Sequence, residues 1–407
     1  MAGFYRTNAR WLGAGFALSF ASSFGQTFFI ALFAGDIRAA YGLTHGEWGT
    51  LYTAATLASA AVLFGAGALT DTLRLDRLVL CIAALYAACL LGMGLAETNV
   101  WLLGLLVFGL RFCGQGMMSH IAITAMGRWF RTHRGRAIAI ASLGFSAGEA
   151  LLPSLAVGLA LWIGWRETWM VAAGVVALVL APFLAWSLSQ RRQPRGAAQL
   201  EEAPGLGARH WNRRAVLGHW GFWALLPGVL TPSFIGTVLF FQQVHLASIK
   251  DWDLTAMALG YPVYAGLAVT ASLSGGWIVD RVGARQLLPV FALPLGLAVA
   301  LIGAGSDVGV WYLGLALMGV AQGTAHALWG ALWPELYGTR HLGSLRAMAT
   351  TAMVFSTAIG PGLSGALIDA GFDLAEQTPA MAVWCLVLSV AYVGVLRALK
   401  REALAPG

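Results

Sequence analysis

Charge is what this sequence has least of. Only 11% of its 407 residues are Asp, Glu, Lys or Arg, against roughly 25% in a soluble globular chain. Long stretches carry none, which excludes the charged helix faces that a soluble two-domain protein needs. Cysteine is also scarce. Cys81, Cys89, Cys113 and Cys385 all lie in apolar runs without Cys-x-x-Cys spacing, so they read as small core hydrophobes and not as disulfide partners or metal ligands. There is no phosphate-cradling loop, no nucleophile elbow and no Cys/His set at metal spacing. The chain is therefore expected to be no enzyme, to hold no metal and to need no cofactor. Any uphill transport would draw on ion or solute gradients, or on a partner chain.

What the sequence has in abundance is apolar residues, at 58%, with a mean hydropathy of +0.73. Cutting at charged or Pro/Gly-rich hinges leaves twelve apolar stretches, near 11–35, 48–70, 78–96, 99–127, 137–162, 168–189, 216–247, 254–279, 287–305, 308–333, 345–368 and 379–397. Each approaches or exceeds the roughly 20 residues that cross about 30 Å of hydrocarbon. The first follows Arg6 and Arg10 and runs on past Ile30, so it is read as an uncleaved helix and not a signal peptide. Pro227, Pro232 and Pro334 predict kinks in spans 7 and 10. The fold class expected is all-α and membrane-embedded, with twelve spans.

The few charges then fix an orientation. With the N-terminus placed in the cytoplasm, 21 of the 25 basic residues fall on that side. Only Arg38, Arg166 and Lys250 fall outside, and Arg111 lies within a span. That bias sets topology in short loops. Both termini are thus expected to be cytoplasmic, in the cell (inner) membrane. The net charge of +7 reports attraction to anionic headgroups and not nucleic-acid binding.

The chain also repeats. Gly67-Ala68-Leu69-Thr70-Asp71 returns as Gly276-Trp277-Ile278-Val279-Asp280, Gln115-Gly116 as Gln322-Gly323, and Pro153 as Pro361, at offsets of 209, 207 and 208. Six spans separate the copies, so the halves keep one orientation. The expected domains are 1–190 and 215–407, each a six-helix bundle, joined by a polar, basic cytoplasmic linker at 191–214.

These elements resemble the major facilitator superfamily along essentially the whole chain. Its loop signature G-x-x-x-D-R-x-G-x-R is met by Gly276, Asp280, Arg281, Gly283 and Arg285, while the first-half copy keeps only Gly67 and Asp71. The Gly allows helix contact and a tight turn, and the Asp can meet a helix N-terminus and pair with the Arg residues. The resemblance implies that this cluster gates the cytoplasmic face. Arg111, Gln115 and Gly116 are similar to the family's R-x-x-x-Q-G element, with Met318 in the Arg position of the second half. The run from Trp129 to Ala137, with Gly144, Gly148 and Pro153, resembles the monocarboxylate-transporter-like branch and its bacterial relatives. The basic substrate residue of that branch in span 8 has no counterpart, and the drug-antiporter element G-P-x-x-G-G of span 5 is absent.

Two charged side chains lie deep in apolar spans, Arg111 and Glu149. Each is twelve residues from a span end, about 18 Å in at 1.5 Å per residue, which puts both near the midplane. A charge there costs at least about 2.5–3.5 kcal/mol, so it marks a candidate functional group. Two readings follow: Arg111 holds an anionic substrate while Glu149 carries a proton, or the two form a static pair locking spans 4 and 5. The resemblance implies a central cavity lined by spans 1, 4, 7 and 10. It adds Gln115, Gln26 with Thr27, Gln242, Gln243 with His245, and Gln322 with His326 as candidates, beside the alternative that they only bond helices to one another. His120 is a weaker candidate, and Tyr52, Tyr261 and Tyr264 face either the cavity or the membrane interface. The expected activity is secondary active transport of a small organic anion or similar metabolite by a monomer, with protons as the coupling ion. An efflux antiporter for amphipathic compounds and a non-transporting sensor or scaffold are the alternatives.

Overall fold

The computed structural model describes residues 2–67, 69–130, 134–189, 204–208 and 210–404; a few side chains within them, Asp71 among these, lie outside the description. Most of the linker expected at 191–214 also lies outside the described residues. Every regular element among the described residues is helical, as an apolar solvent demands, because only internal backbone pairing satisfies N–H and C=O groups there.

The chain divides into two compact units, Met1–Gln199 with Phe240–Val244, and Leu200–Leu239 with His245–Gly407. The first holds α1 (Tyr5–Gly25, then Thr27–Tyr41 after a 44° bend), α2 (His45–Ala66), α3 (Leu75–Leu95), α4 (Val100–Trp129), α5 (Gly135–Ile163) and α6 (Trp165–Leu188). The second holds α7 (Trp220–Phe241) apart from its last residues, α8 (Leu254–Val282), α9 (Leu293–Ala304), α10 (Gly309–Tyr337), α11 (Leu342–Asp369) and α12 (Leu374–Leu404). Among the described residues, nine of these helices are long and apolar enough to cross a membrane, and the bent α1 makes ten. Helix α9 is shorter than its expected span because turns occupy residues 288–292. Pro289 and Pro294 remove the donors that would extend the helix backwards.

Local chemistry sets the ends. Thr44 and Glu47 form a reciprocal capping box that opens α2, and the Asn99 side chain accepts from Trp101 and Leu102 at the start of α4. Arg166 donates to Ala96 O at 2.9 Å, just past α3. Lys250 donates to Gly303 O and Gly305 O at 2.6 and 2.8 Å, where α9 ends. Two of the three basic residues that the charge count leaves outside thus cap helix C-termini, where cations are favoured.

Glycines set the packing of the first unit. A Cβ on Gly25 of α1 would overlap Leu110 O of α4, and one on Gly114 would stand 2.8 Å from the Gly25 Cα. On α5, Cβ atoms at Gly144 and Gly148 would overlap Phe16 O and the Ser23 hydroxyl of α1. Helix α1 therefore lies against α4 on one side and α5 on the other, at separations only glycine permits. In the second unit α8 and α10 approach one another closely as well. There a Cβ on Gly319 would stand 2.5 Å from Tyr264 O, and one on Gly323 would be 2.6 Å from Ser272 N.

Candidate functional site

The helix of span 1 stops at Gln26, whose backbone is extended (φ −84°, ψ 157°), between a short 3-10 turn at Ser23–Gly25 and the helix that resumes at Thr27. Span 7 is also interrupted, ending at Phe241 and resuming at Gln243 after a single turn residue, Gln242. Both breaks fall on a glutamine, and neither falls on the prolines that the sequence marked. Helix α7 runs through Pro227 and Pro232, and α10 through Pro334.

A broken helix frees backbone carbonyls, and the neighbours of α1 supply donors for them. Tyr86 of α3 donates its hydroxyl to Ala21 O at 3.2 Å. Arg111 of α4 donates Nη1 to Gly25 O at 3.1 Å and to the Thr27 hydroxyl at 3.4 Å. Tyr52 of α2 shares a hydrogen bond with that hydroxyl at 2.8 Å, and the Arg111 guanidinium lies over the Tyr52 ring, 5.2 Å from its centroid. Arg111 is 1% exposed. Its remaining donors, Nε and Nη2, have no hydrogen-bond partner among the described residues. Those two nitrogens form one edge of the guanidinium fork, the edge that grips a carboxylate or phosphate with two parallel bonds.

Glu149 is also buried, and among the described residues no ion pair joins it to Arg111. The static pair that locks spans 4 and 5 is not formed. The glycine contacts give the reason: at this depth α1 packs on α4 through Gly25 and on α5 through Ser23 against Gly148, and so stands between the two helices. The buried Ser23 hydroxyl of α1, beside Gly148, has no partner among the described residues either.

The backbone of α4 is π-helical from Arg111 to Met118. A wider turn shifts the register of the residues that follow it. Gln115 is half-buried, as is Gln26. Of the two span 7 glutamines, Gln242 is buried with Nε2 unpartnered, while Gln243 donates Nε2 to Phe28 O at 3.4 Å. His245 meets Asp373 at 3.1 Å. In α10, Gln322 and His326 hydrogen-bond one another at 3.0 Å along one face. His120 reaches Gly67 O at 3.3 Å.

The loop signature of the second half departs from its expected wiring. Asp280 is exposed and has no ion pair among the described residues. Arg281 stacks on the Trp277 ring at 3.7 Å. Arg285 pairs with Glu335 at the end of α10, at 2.7 Å, and Glu335 also accepts from Ala284 N at 3.2 Å. Gly283 sits at φ +85°, the turn that favours glycine. A Cβ on Gly276 would meet nothing, whereas one on Gly275 would stand 3.0 Å from the Ala327 Cβ, so Gly275 makes the helix contact. Sequence reasoning missed Glu335, although it stands at the offset of 207 from Arg128. In the first half Arg128 donates to Thr70 O at 2.7 Å. Tyr86 was missed too; its hydroxyl in an otherwise apolar span was the available signal.

Known proteins resemble this chain in sequence and in fold. The family model of the Major Facilitator Superfamily matches residues 15–361 and 245–404. The Escherichia coli membrane sensor protein UhpC is 31% identical over 199 residues, 45% of this chain and 43% of that protein. A Cupriavidus pinatubonensis protein named "Probable 4-methylmuconolactone transporter" is 27% identical over 387 residues, 85% of this chain. The chain thus spans from under half to four fifths of these relatives' lengths, 43% and 80%. Among solved structures, a bacterial homologue of the human lysosomal transporter Spinster, in an inward-facing and unoccupied conformation, superposes with a TM-score of 0.75. That match covers 98% of this chain and 99% of the other at 14% identity. Twelve spans in two six-helix units, the repeated loop signature and these matches lead to one conclusion: the chain belongs to the Major Facilitator Superfamily.

Proposed function

We propose that this protein is a secondary active transporter that moves a small organic anion across the cell (inner) membrane together with protons. The observation that carries the reading is the Arg111 fork edge, buried and without a partner. A cation in that state is costly, and a bidentate anion removes the cost. Glu149 is the proton carrier. A buried carboxyl group with no cation beside it sheds its charge penalty by binding a proton, and release on one side of the membrane returns it. Gln26, Gln115, Gln242, Gln243, Gln322 and His326 supply further polar contacts to the substrate. The loops at Gly67–Asp71 and Gly276–Arg285 control cytoplasmic access, with both termini in the cytoplasm and the monomer as the working unit. The transporter name of a relative matched over 85% of this chain supports the reading.

The test starts with a thermal-shift screen of small organic acids on purified protein, since a ligand raises stability by mass action. The strongest stabiliser is then the probe for uptake into proteoliposomes driven by a pH step. Glu149→Gln is expected to abolish accumulation while leaving binding, and Arg111→Met to abolish both. Accumulation that survives unchanged in Glu149→Gln removes the proton role. The similarity to UhpC, named a sensor, supports a second reading, signalling without transport, which requires binding with no uptake by the parent protein.

A further inference from the structure

Four fully buried groups form a cluster of which the transport reading uses only Arg111. Trp48 and Tyr52 lie one turn apart on α2. The Tyr52 ring has the Arg111 guanidinium 5.2 Å from its centroid and the Phe241 ring 4.8 Å away, tilted by 54°. Trp48 completes the cluster, stacked on Phe241 at 5.9 Å and edge-on to Tyr52 at 6.1 Å. Phe241 belongs to Phe240–Val244, the broken tip of span 7 that clusters with the first unit. Tyr52 is 0% exposed, and Trp48, Arg111 and Phe241 are 1% exposed, so water does not screen the cation from the ring. The Tyr52 hydroxyl is fixed too, through Thr27, whose oxygen also accepts from Arg111.

From this geometry we infer that Tyr52 is a positioning residue joining anion occupancy at Arg111 to the packing of the span 7 tip. A cation over an aromatic face is held by the ring quadrupole, and the contact is strongest where it is desolvated. With its Nε–Nη2 edge free, Arg111 puts its field on the ring. An anion on that edge shares the charge and draws the guanidinium away from the ring. The ring is then free to reorient, and Phe241, held by Tyr52 and Trp48, loses part of its seat. Occupancy at Arg111 thereby loosens the backbone break at Gln242. The hydroxyl only fixes the ring's azimuth, so the aromatic face carries the effect.

The inference rests on Arg111 as the anion-holding group, but its test needs neither a substrate nor transport. Val244 is half-buried at the tip, and Val244→Cys makes it a reporter, with Cys81, the exposed native thiol, replaced by Ala. The measurement is the rate of alkylation by a water-soluble maleimide on detergent-purified protein. Tyr52→Leu, which keeps bulk and removes the quadrupole, is expected to speed labelling roughly two- to thirtyfold, the span of cation–aromatic contacts between exposed and desolvated limits. Arg111→Met should speed it as much, and the double variant no more than either alone. Tyr52→Phe should label at the parent rate. Size-exclusion profiles confirm folding, and should Tyr52→Leu not fold, Arg111→Met and Tyr52→Phe decide alone. Parent-rate labelling in Arg111→Met, or fast labelling in Tyr52→Phe, overturns the inference. A parent protein that accumulates no organic acid defeats the transport reading and leaves these rates untouched.

Discussion

Helix α4 carries Arg111 where α10 carries Met318, and the two helices differ in backbone as well as in side chain. Helix α4 widens to a π-helix over Arg111–Met118, while α10 runs as one α-helix from Gly309 to Tyr337. Helix α5 buries Glu149 four residues before Pro153. In α11 the same place is held by Thr357, whose hydroxyl bonds back to Val354 O at 2.8 Å. The duplicated frame is kept by features that both halves need, such as packing glycines and capped helix ends. The departures gather where a charge is buried. A buried charge needs a structure around it, and the first unit has one: a broken helix offering the Gly25 carbonyl and the Thr27 hydroxyl, with the Tyr52 ring of α2 beside them. Span 7 is also interrupted, at Gln242, but among the described residues Arg111 is the only buried Lys or Arg side chain.

Moving the charge tests that difference most severely. In Met318→Arg the guanidinium would lie in a regular helix where the side chain is 3% exposed. The expected cost is at least about 2.5–3.5 kcal/mol, read as a collapse in folded yield and thermal midpoint. Recovery of a stable protein would mean that the second unit can also house a cation, and the asymmetry would then not be structural. A smaller effect separates two adjacent glycines. Gly275→Val should lower the midpoint by an overpacking cost of about 1–3 kcal/mol, whereas Gly276→Val should leave it in place, because only the first faces α10. Equal effects would return the contact role to the signature glycine. The smallest effect compares the two cytoplasmic loops. Glu335→Gln removes a partly exposed ion pair with Arg285 and should cost about 1 kcal/mol or less. Arg128→Gln strips a charged donor from Thr70 O and should cost more, as bonds to charged groups do. The reverse order in thermal midpoints would show that the degraded loop is the weaker anchor.

Much of the frame was legible because it rests on apolar length and on charge bias. All twelve stretches carry helices, and Arg111 and Glu149 were the two charges to single out. Their relation was not legible. Face counting assumes 3.6 residues per turn, and the π segment breaks that assumption at Arg111 itself. Nothing in Phe24-Gly25-Gln26-Thr27 announces a break, since a single glycine is common in membrane helices, so the carbonyl that Arg111 caps could not be foreseen. The pairing of Arg111 with Glu149 failed for a related reason: adjacency in sequence order hid α1, which glycines on both sides admit between them. In the loop, Glu335 replaced Asp280 as the partner of Arg285 because it approaches from another helix, 50 residues away along the chain.

The π-helical stretch has a consequence for how this chain tolerates insertion and deletion. A π turn accommodates a residue that an α turn would not. Deleting one residue between Phe112 and Met118 would let the stretch close to a regular α-helix while what lies beyond it stays near its present orientation. The same deletion in the regular α10 would rotate everything beyond it by about 100°. In α4, Arg111 would keep its place, and His120 and Arg128 would stay within reach of Gly67 O and Thr70 O. The opposite change, one residue added to the matching stretch of α10, is the route by which the second unit would acquire the same register. Single-residue length variants of these two helices therefore carry more information about this protein's history than substitutions at the same positions.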